Sequence, residues 1–468
     1  MTRARQNSVG IRTSPERISV TSPFDGRPVG SVMPSDEGDI VAAVYRARAA
    51  WGEFRASTPG ERRAMLYRLA DAIAGEAEAM ARCICLETGK TIGEARRETA
   101  RAQNTLKLAG DAATFLDGEV LNCAVIEGVK SRTATVTYEP VGVVAAITPF
   151  NYPLNLLCHK LGPALGAGNA VVAKPSPKAP LAAVRLQALA LGCGFPAGLF
   201  QVVHGHAEAA LALAGAPIDI LSFTGSPQAG RALKAASGLI RCLMELGGND
   251  PLIVMPDADL DKAVETVIAH RFELAGQSCA AVKRLYLHDE IRGEVTARLL
   301  ARAAAIRTGD PLDEATDMGP VIDEEAAGRV AGRIADAVGR GARLAWGGER
   351  RGTLIAPTII DEVPIDAPLI AEETFGPVVS IRGFADVGAV IAEVNAGLYG
   401  LQAGLFTNDY ALVRRVSRDL QVGGVMINEG PDFRAEHVPF GGVKQSGLGR
   451  EGVRIALREM SETKVVIE

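Results

Sequence analysis

Three positions in this sequence carry side chains that could act together on a carbonyl carbon. Cys279 lies in Gly276-Gln277-Ser278-Cys279-Ala280-Ala281, after a helix-like stretch and before a strand-like one. Its small neighbours leave the sulfur open, and a thiolate is a strong nucleophile. Glu245 sits in the apolar stretch Met244-Glu245-Leu246, which ends in the paired glycines Gly247 and Gly248. A carboxylate in apolar surroundings has a raised pKa and can serve as a general base. Asn151 lies in Pro149-Phe150-Asn151-Tyr152-Pro153, directly after an apolar run. An amide placed there can donate to a developing oxyanion. Taken singly, each residue also has a plain reading: a small buried hydrophobe, an ion-paired glutamate, a turn asparagine.

Other chemistries lack their signatures. The formal GxGxxG match, Gly447-Leu448-Gly449-Arg450-Glu451-Gly452, stands too close to the end of the chain to open a dinucleotide-binding βαβ unit, so it reads as a turn. Neither a GxSxG elbow nor a GxxxxGK[ST] phosphate loop is present. Cys83 and Cys85 form no CxxC pair, and His204 and His206 flank Gly205 with no further ligand cluster, so no metal site is expected. The 468 residues carry a net charge of −5, which argues against a nucleic-acid partner. With no run of ~18 apolar residues, no membrane partner is expected either. The polar stretch MTRARQNSVGIRTSPER has no apolar core of a secretory signal. Seven cysteines in so long a chain fit reduced thiols and a cytoplasmic location rather than a disulfide scaffold.

The elements that must position these groups repeat a simple rhythm. A helix is expected over 38–57, with more helix-like sequence to about 117, then a strand over 132–139. Short apolar runs at Val143–Ile147, Ala170–Lys174, Leu199–Val203, Ile220–Phe223 and Arg241–Leu246 alternate with helix-like segments. That pattern means a parallel sheet covered on both faces. The rhythm restarts after Gly247–Gly248, with runs at Leu252–Met255, Val282–His288, Thr353–Ile360, Val378–Gly383, Gln402–Thr407 and Gly424–Asn428. The chain therefore reads as α/β with two such units. The final Lys464–Glu468 reads as a strand in need of a partner.

Seven segments now gain meaning together: PFNYP (149–153), KPS (174–176), SFTGS (222–226), ELGG (245–248), GQSC (276–279), EETFGPV (372–378) and PFGGVKQSGLGREG (439–452). In this order they resemble the aldehyde dehydrogenase superfamily, over nearly the whole chain. The resemblance implies that fold: two doubly wound parallel-sheet domains plus a β oligomerisation arm. It implies an NAD(P)-binding domain over 1–127 and 141–247, a catalytic domain over 248–438, and an arm and C-terminal segment over 128–140 and 439–468. It also implies that Cys279 attacks an aldehyde, that Asn151 and the Cys279 backbone N–H hold the oxyanion, and that Glu245 activates water against the thioester. The presence of Glu245 favours release of a free acid over transfer to coenzyme A. Lys174, Ser176, Gly225, Ser226, Glu373 and Phe375, with Ile147 and Phe150, are the implied cofactor residues. NAD is the expected cofactor. NADP stays open because Pro177, followed by Lys178, replaces the carboxylate that many NAD-preferring members use.

For the substrate, the matched positions point to Tyr152, Asn155, His159, Ser278 and the segment Pro431-Asp432-Phe433-Arg434, with Lys107 reaching in from an early helix. Lys107, His159 and Arg434 are expected to form a cationic cluster that orients a small anionic aldehyde bearing phosphonate or phosphate. Ser278 weakens that reading, since some phosphonate and phosphate users carry arginine there. A neutral hydroxyaldehyde or semialdehyde, as in the similar lactaldehyde dehydrogenases, is the alternative. A cofactor-independent thiol esterase and a non-catalytic nucleotide-binding protein are alternatives of another class. The arm is expected to pair with a partner subunit in a homodimer or homotetramer.

Overall fold

The computed structural model of the chain describes residues 16–125, 127–128 and 132–468. Most of the polar stretch read as lacking a signal, residues 1–15, and part of the arm, 129–131, lie outside the described residues. Four helices come first: Glu37–Phe54, Pro59–Gly75, Ala77–Thr88 and Ile92–Ala113. Asp36, Thr58 and Thr91 open three of them with reciprocal capping boxes, which satisfy otherwise orphaned N–H groups.

The first large sheet has the spatial order Gly447–Leu448, Arg241–Glu245, Ile220–Thr224, Val143–Ile147, Ala170–Lys174 and Phe200–Val202. All its neighbours are parallel except the outermost pair, where Gly447 and Leu448 run antiparallel to Glu245 and Met244. The chain builds outward from Val143–Ile147 in one direction, then crosses back to continue from Ile220–Thr224 in the other. That reversal makes a crevice at the carboxyl ends of these two strands. Every residue of Val143–Ile147, Ala170–Lys174 and Ile220–Thr224 is buried, as expected of a sheet covered on both faces.

The second sheet has the order Arg343–Trp346, Thr358–Asp361, Val378–Phe384, Arg284–His288, Pro251–Val254, Gln402–Phe406 and Gly424–Ile427, parallel except for its first pair. The single run expected over Thr353–Ile360 is two strands, Leu354–Ile355 and Thr358–Asp361. Pro357 separates them, since it has no N–H to give a ladder. The formal glycine motif, read as a turn, begins instead as the short edge strand Gly447–Leu448 and bends only after it, where Gly449 and Gly452 have φ of 78° and 109°.

In the third sheet the final strand finds its partner within the chain: Ser461–Ile467 pairs with Thr133–Pro140 along one side, and Glu119–Asn122 covers Thr133–Val136 on the other. The outer edges of Ser461–Ile467 and Glu119–Asn122 are left, with Val120, Leu121, Val465, Val466 and Ile467 exposed. Among the described residues, no helix is long and apolar enough to cross a membrane.

Candidate active site

The carboxyl ends of the first sheet meet the amino ends of the second across a cavity of about 300 Å³. Ile147, Lys174, Thr224 and Glu245 each end a strand of the first sheet. Cys279 and Glu373 each lie a few residues before a strand of the second, Arg284–His288 and Val378–Phe384. Asn151, Glu245, Ser278, Cys279, Glu373 and Phe375 all line the cavity, so the two sheets bring the three candidate reacting groups together.

Cys279 is partly exposed to the cavity. Burial pushes its thiol pKa up, and the nearby Asp432 carboxylate adds to the rise. Its backbone carbonyl accepts from the Lys283 ammonium at 2.6 Å, which pins the turn. Asn151 is 5% exposed, and its Nδ2 donates to the Gln277 carbonyl at 3.0 Å, two residues before the sulfur. An amide nitrogen carries two hydrogens, so one is left over. Glu245 is 3% exposed, and neither of its carboxyl oxygens has a hydrogen-bond partner among the described residues. Burial, then the Glu451 carboxylate, holds its pKa well above the usual carboxylate range. Glu451 itself stays ionised against its own burial, because the Lys160 ammonium at 2.6 Å and Arg434 at 2.9 Å bind it.

The cofactor candidates form the other wall. Lys174 is 4% exposed, donates among the described residues only to the adjacent Pro175 carbonyl, and is pushed by burial down to about 8. A buried ammonium so poorly bonded has room for a sugar hydroxyl. His204, half-buried near it, is held down at about 4 by desolvation and by the Lys174 charge. Ser226 caps helix Pro227–Ala236 by accepting the Ala229 N–H at 3.2 Å, and Gly225 precedes it. A helix start of this kind favours an anion such as a pyrophosphate. Glu373 accepts the Gly248 N–H at 3.2 Å, and a Cβ on Gly247 would collide with that carboxylate. Phe150 and Phe375 meet edge to face with centroids 6.0 Å apart. Buried Arg271 donates to the Thr374 carbonyl at 3.1 Å and to that of Gly376, and so braces the loop bearing Glu373 and Phe375. These residues fit a dinucleotide. Ser176 accepts the Lys178 N–H at 3.3 Å, while the Lys178 ammonium pairs with Asp323.

The expected cationic cluster is not assembled. Lys107 lies outside the cavity and pairs with Asp71 at 2.9 Å, because its position on helix Ile92–Ala113 is off the buried face. His159 is 1% exposed and its Nε2 is bonded to Glu436 at 2.6 Å. Burial lowers its pKa, so it is neutral near neutral pH. Of the three, Arg434 lines the cavity, and it is bound to Glu451. Phe433 is 52% exposed and does not line it. Tyr152 and Asn155 do; Tyr152 Oη donates to Glu273 at 3.4 Å, and Asn155 accepts the Thr105 hydroxyl at 2.8 Å.

The cation that sequence reasoning missed is Arg101. It lines the cavity and donates to Glu436 at 2.7 Å. A helical-face count would have found it, since Glu94, Glu98, Arg101 and Thr105 recur at helical spacing and Lys107 breaks it. Asp432, from the segment expected at the substrate, lines the cavity and accepts the Ser278 hydroxyl at 2.8 Å.

Known proteins share this arrangement. Residues 11–466 match the model of the aldehyde dehydrogenase family. A 3-sulfolactaldehyde dehydrogenase of Priestia aryabhattai is 38% identical over 457 residues, covering 97% of this chain and 95% of that protein. A sulfoacetaldehyde dehydrogenase of Neptuniibacter caesariensis is 37% identical over 450 residues, covering 96% and 99%. The crystal structure of NADP-dependent glyceraldehyde-3-phosphate dehydrogenase from Bacillus halodurans C-125, complexed with NADP, superposes with a TM-score of 0.94 at 35% identity, covering 97% and 96%. Matching in sequence and in fold over nearly its whole length, this chain belongs to the aldehyde dehydrogenase family.

Proposed function

We propose that this protein oxidises a small aldehyde to the free carboxylic acid with NAD(P), through a thiohemiacetal and then a thioester on Cys279. The observation that carries this reading is the meeting of Cys279, Asn151 and Glu245 on one cavity with Glu373 and Phe375. Bound NAD(P) supplies the hydride acceptor. Lys174, Ser176, Gly225, Ser226, Glu373, Phe375, Phe150 and Ile147 are the residues that would hold it. The Cys279 thiol gives up its proton to solvent water, its sulfur bonds to the aldehyde carbon as the carbonyl electron pair moves to oxygen, and the spare Asn151 N–H and the Cys279 backbone N–H stabilise the oxyanion. Once the carbon has lost its hydride, Glu245 takes a proton from water, which attacks the thioester and frees the thiol. On this reading 1–127 with 141–247 serve the cofactor, 248–438 serve catalysis, and the free edge of Ser461–Ile467 joins a second copy.

For the substrate we propose a small anionic aldehyde. Arg101 and Arg434 at the cavity support it, and so do the sulfonated aldehydes named for two relatives and the triose phosphate named for a third. The Ser278–Asp432 pair favours a second reading, a neutral hydroxyaldehyde, because it sets acceptors where a hydroxyl could donate. Pro177 and Lys178 leave the choice between NAD and NADP open.

The test is cofactor reduction with a panel of aldehydes. Wild type reduces NAD or NADP with at least one small aldehyde, and Cys279→Ala abolishes it. Undiminished turnover by C279A would refute the reading. Within the panel, Arg101→Ala is expected to raise KM about 10- to 100-fold for a sulfonate or phosphonate aldehyde, the worth of a charged hydrogen bond. Propanal should change little, and equal effects on both would remove the anionic assignment.

A further inference from the structure

The reaction proposed above needs the Cys279 and Asn151 segments in fixed register, yet these flank different sheets. Two buried carboxylates on helix Ile92–Ala113 touch both. Glu94 and Glu98 stand one turn apart, so they project from one face. They are 4% and 2% exposed.

Glu94 Oε2 accepts the Thr91 N–H at 2.7 Å, and its Oε1 accepts the Leu274 N–H at 2.8 Å. Leu274 begins an unusual stretch: φ is 45° at Leu274, 49° at Ala275 and 72° at Gly276. Left-handed backbone costs a residue with a side chain roughly 1–2 kcal/mol, so this stretch must be held by its surroundings. It turns the chain from helix Leu260–Phe272 toward the nucleophile. Fully buried Gln277 closes the turn by donating to the Leu274 carbonyl at 3.0 Å and accepting the Ile322 N–H at 2.9 Å.

Glu98 serves the opposite segment. Its Oε1 accepts the Leu154 and Asn155 N–H groups at 3.0 and 3.1 Å, where helix Asn155–Gly166 begins just after Asn151. Its Oε2 takes the buried Lys90 ammonium at 2.6 Å, and that ammonium lies 3.7 Å from the centre of the Tyr152 ring. One helix face therefore grips the backbone behind the nucleophile with one carboxylate and the backbone behind the oxyanion donor with the next.

We propose that Glu94 and Glu98 are positioning residues: Glu94 sets the nucleophile segment, and Glu98 sets the Asn151 segment against it. This rests on the reading of Cys279 and Asn151 given above. Neither glutamate touches the reacting atoms, and misplacement by about 1 Å can cost on the order of 100-fold in rate.

Two reactions of Cys279 separate the two roles. Alkylation by iodoacetamide needs a placed sulfur but develops no oxyanion on a carbonyl. The pre-steady-state burst of reduced cofactor with an aldehyde needs both. In Glu98→Gln the burst should slow about 10-fold or more while alkylation stays within about 2-fold. In Glu94→Gln both should slow about 10-fold or more.

Glu87→Gln is the control. Glu87 is equally buried and accepts two N–H groups, from Leu181 at 2.7 Å and Ala182 at 3.0 Å, but touches neither catalytic segment. Both of its rates should stay within about 2-fold of wild type. If a glutamine variant gives no folded protein, Glu94→Asp and Glu98→Asp are read in its place, since they keep the charge but retract the carboxylate. The proposal falls if E87Q slows the reactions as much as the other two, if E98Q slows alkylation as much as the burst, or if E94Q and E98Q match wild type. C279A tells the two levels apart. Turnover without the sulfur overturns the reading of the reaction itself, whereas a dead C279A beside unaffected glutamate variants overturns only the positioning role.

Discussion

Glu245→Gln should separate loss of activity from loss of stability. The wild-type carboxyl is 3% exposed, has no hydrogen-bond partner among the described residues, and is held by burial well above its usual range. The fold thus buries it mainly in its neutral form, which an amide of the same shape imitates without breaking a bond. Stability near pH 5 should change by less than about 1 kcal/mol. The sign at higher pH also follows. A carboxyl whose folded pKa is raised lowers stability as pH climbs above its unfolded value of 4.5, so the variant should gain on wild type as pH rises.

Catalysis should respond in the opposite direction. Removing a general base costs about 10²–10⁴ in the step that it serves, here hydrolysis of the thioester. Rapid mixing of E245Q with cofactor and aldehyde should give a burst of reduced cofactor approaching one per active site, then a steady rate lower by about 100-fold or more. Where deacylation limits the wild type, its steady rate should climb about tenfold per pH unit below the raised pKa. The variant should lose that slope. Steady turnover within about 2-fold of wild type, or an unchanged pH profile, would show that another group activates the water.

Removal of the oxyanion donor in Asn151→Ala should cut the burst rate by about 10²–10³, with cofactor affinity from fluorescence titration little changed. Glu436→Gln tests the network that displaced the expected cationic cluster. Burial alone would raise the Glu436 pKa, but the His159 hydrogen bond and the Arg101 charge outweigh it and hold the carboxyl down at about 2. That stabilisation is present above 4.5, the ordinary value, and is lost as pH falls toward about 2. E436Q should therefore be less stable than wild type by about 1–3 kcal/mol near pH 7. Denaturant titrations should show the gap closing below about pH 4.

The three candidate reacting residues stood out by type and neighbours (a cysteine among small residues, a glutamate ahead of paired glycines, an asparagine after an apolar run), but each alone also had a plain reading, and only the seven segments in order singled them out. The alternation of apolar runs and helical segments likewise decided two parallel sheets, since strands buried on both faces must be apolar throughout. The single run read over Thr353–Ile360 failed at Pro357, where a missing N–H divides a continuous apolar stretch. What only the tertiary structure decided is which distant side chains meet. Lys107, His159 and Arg434 have the right charge, but helix rotation turned Lys107 outward to Asp71, and burial gave His159 to Glu436. Arg101, Glu94 and Glu98 gained their places from one face of helix Ile92–Ala113, and Asp432 from a turn at the cavity. Charge belongs to a residue type and can be read from the chain. Partnership depends on which groups folding leaves buried without water, and that is settled only when the two sheets close on one cavity.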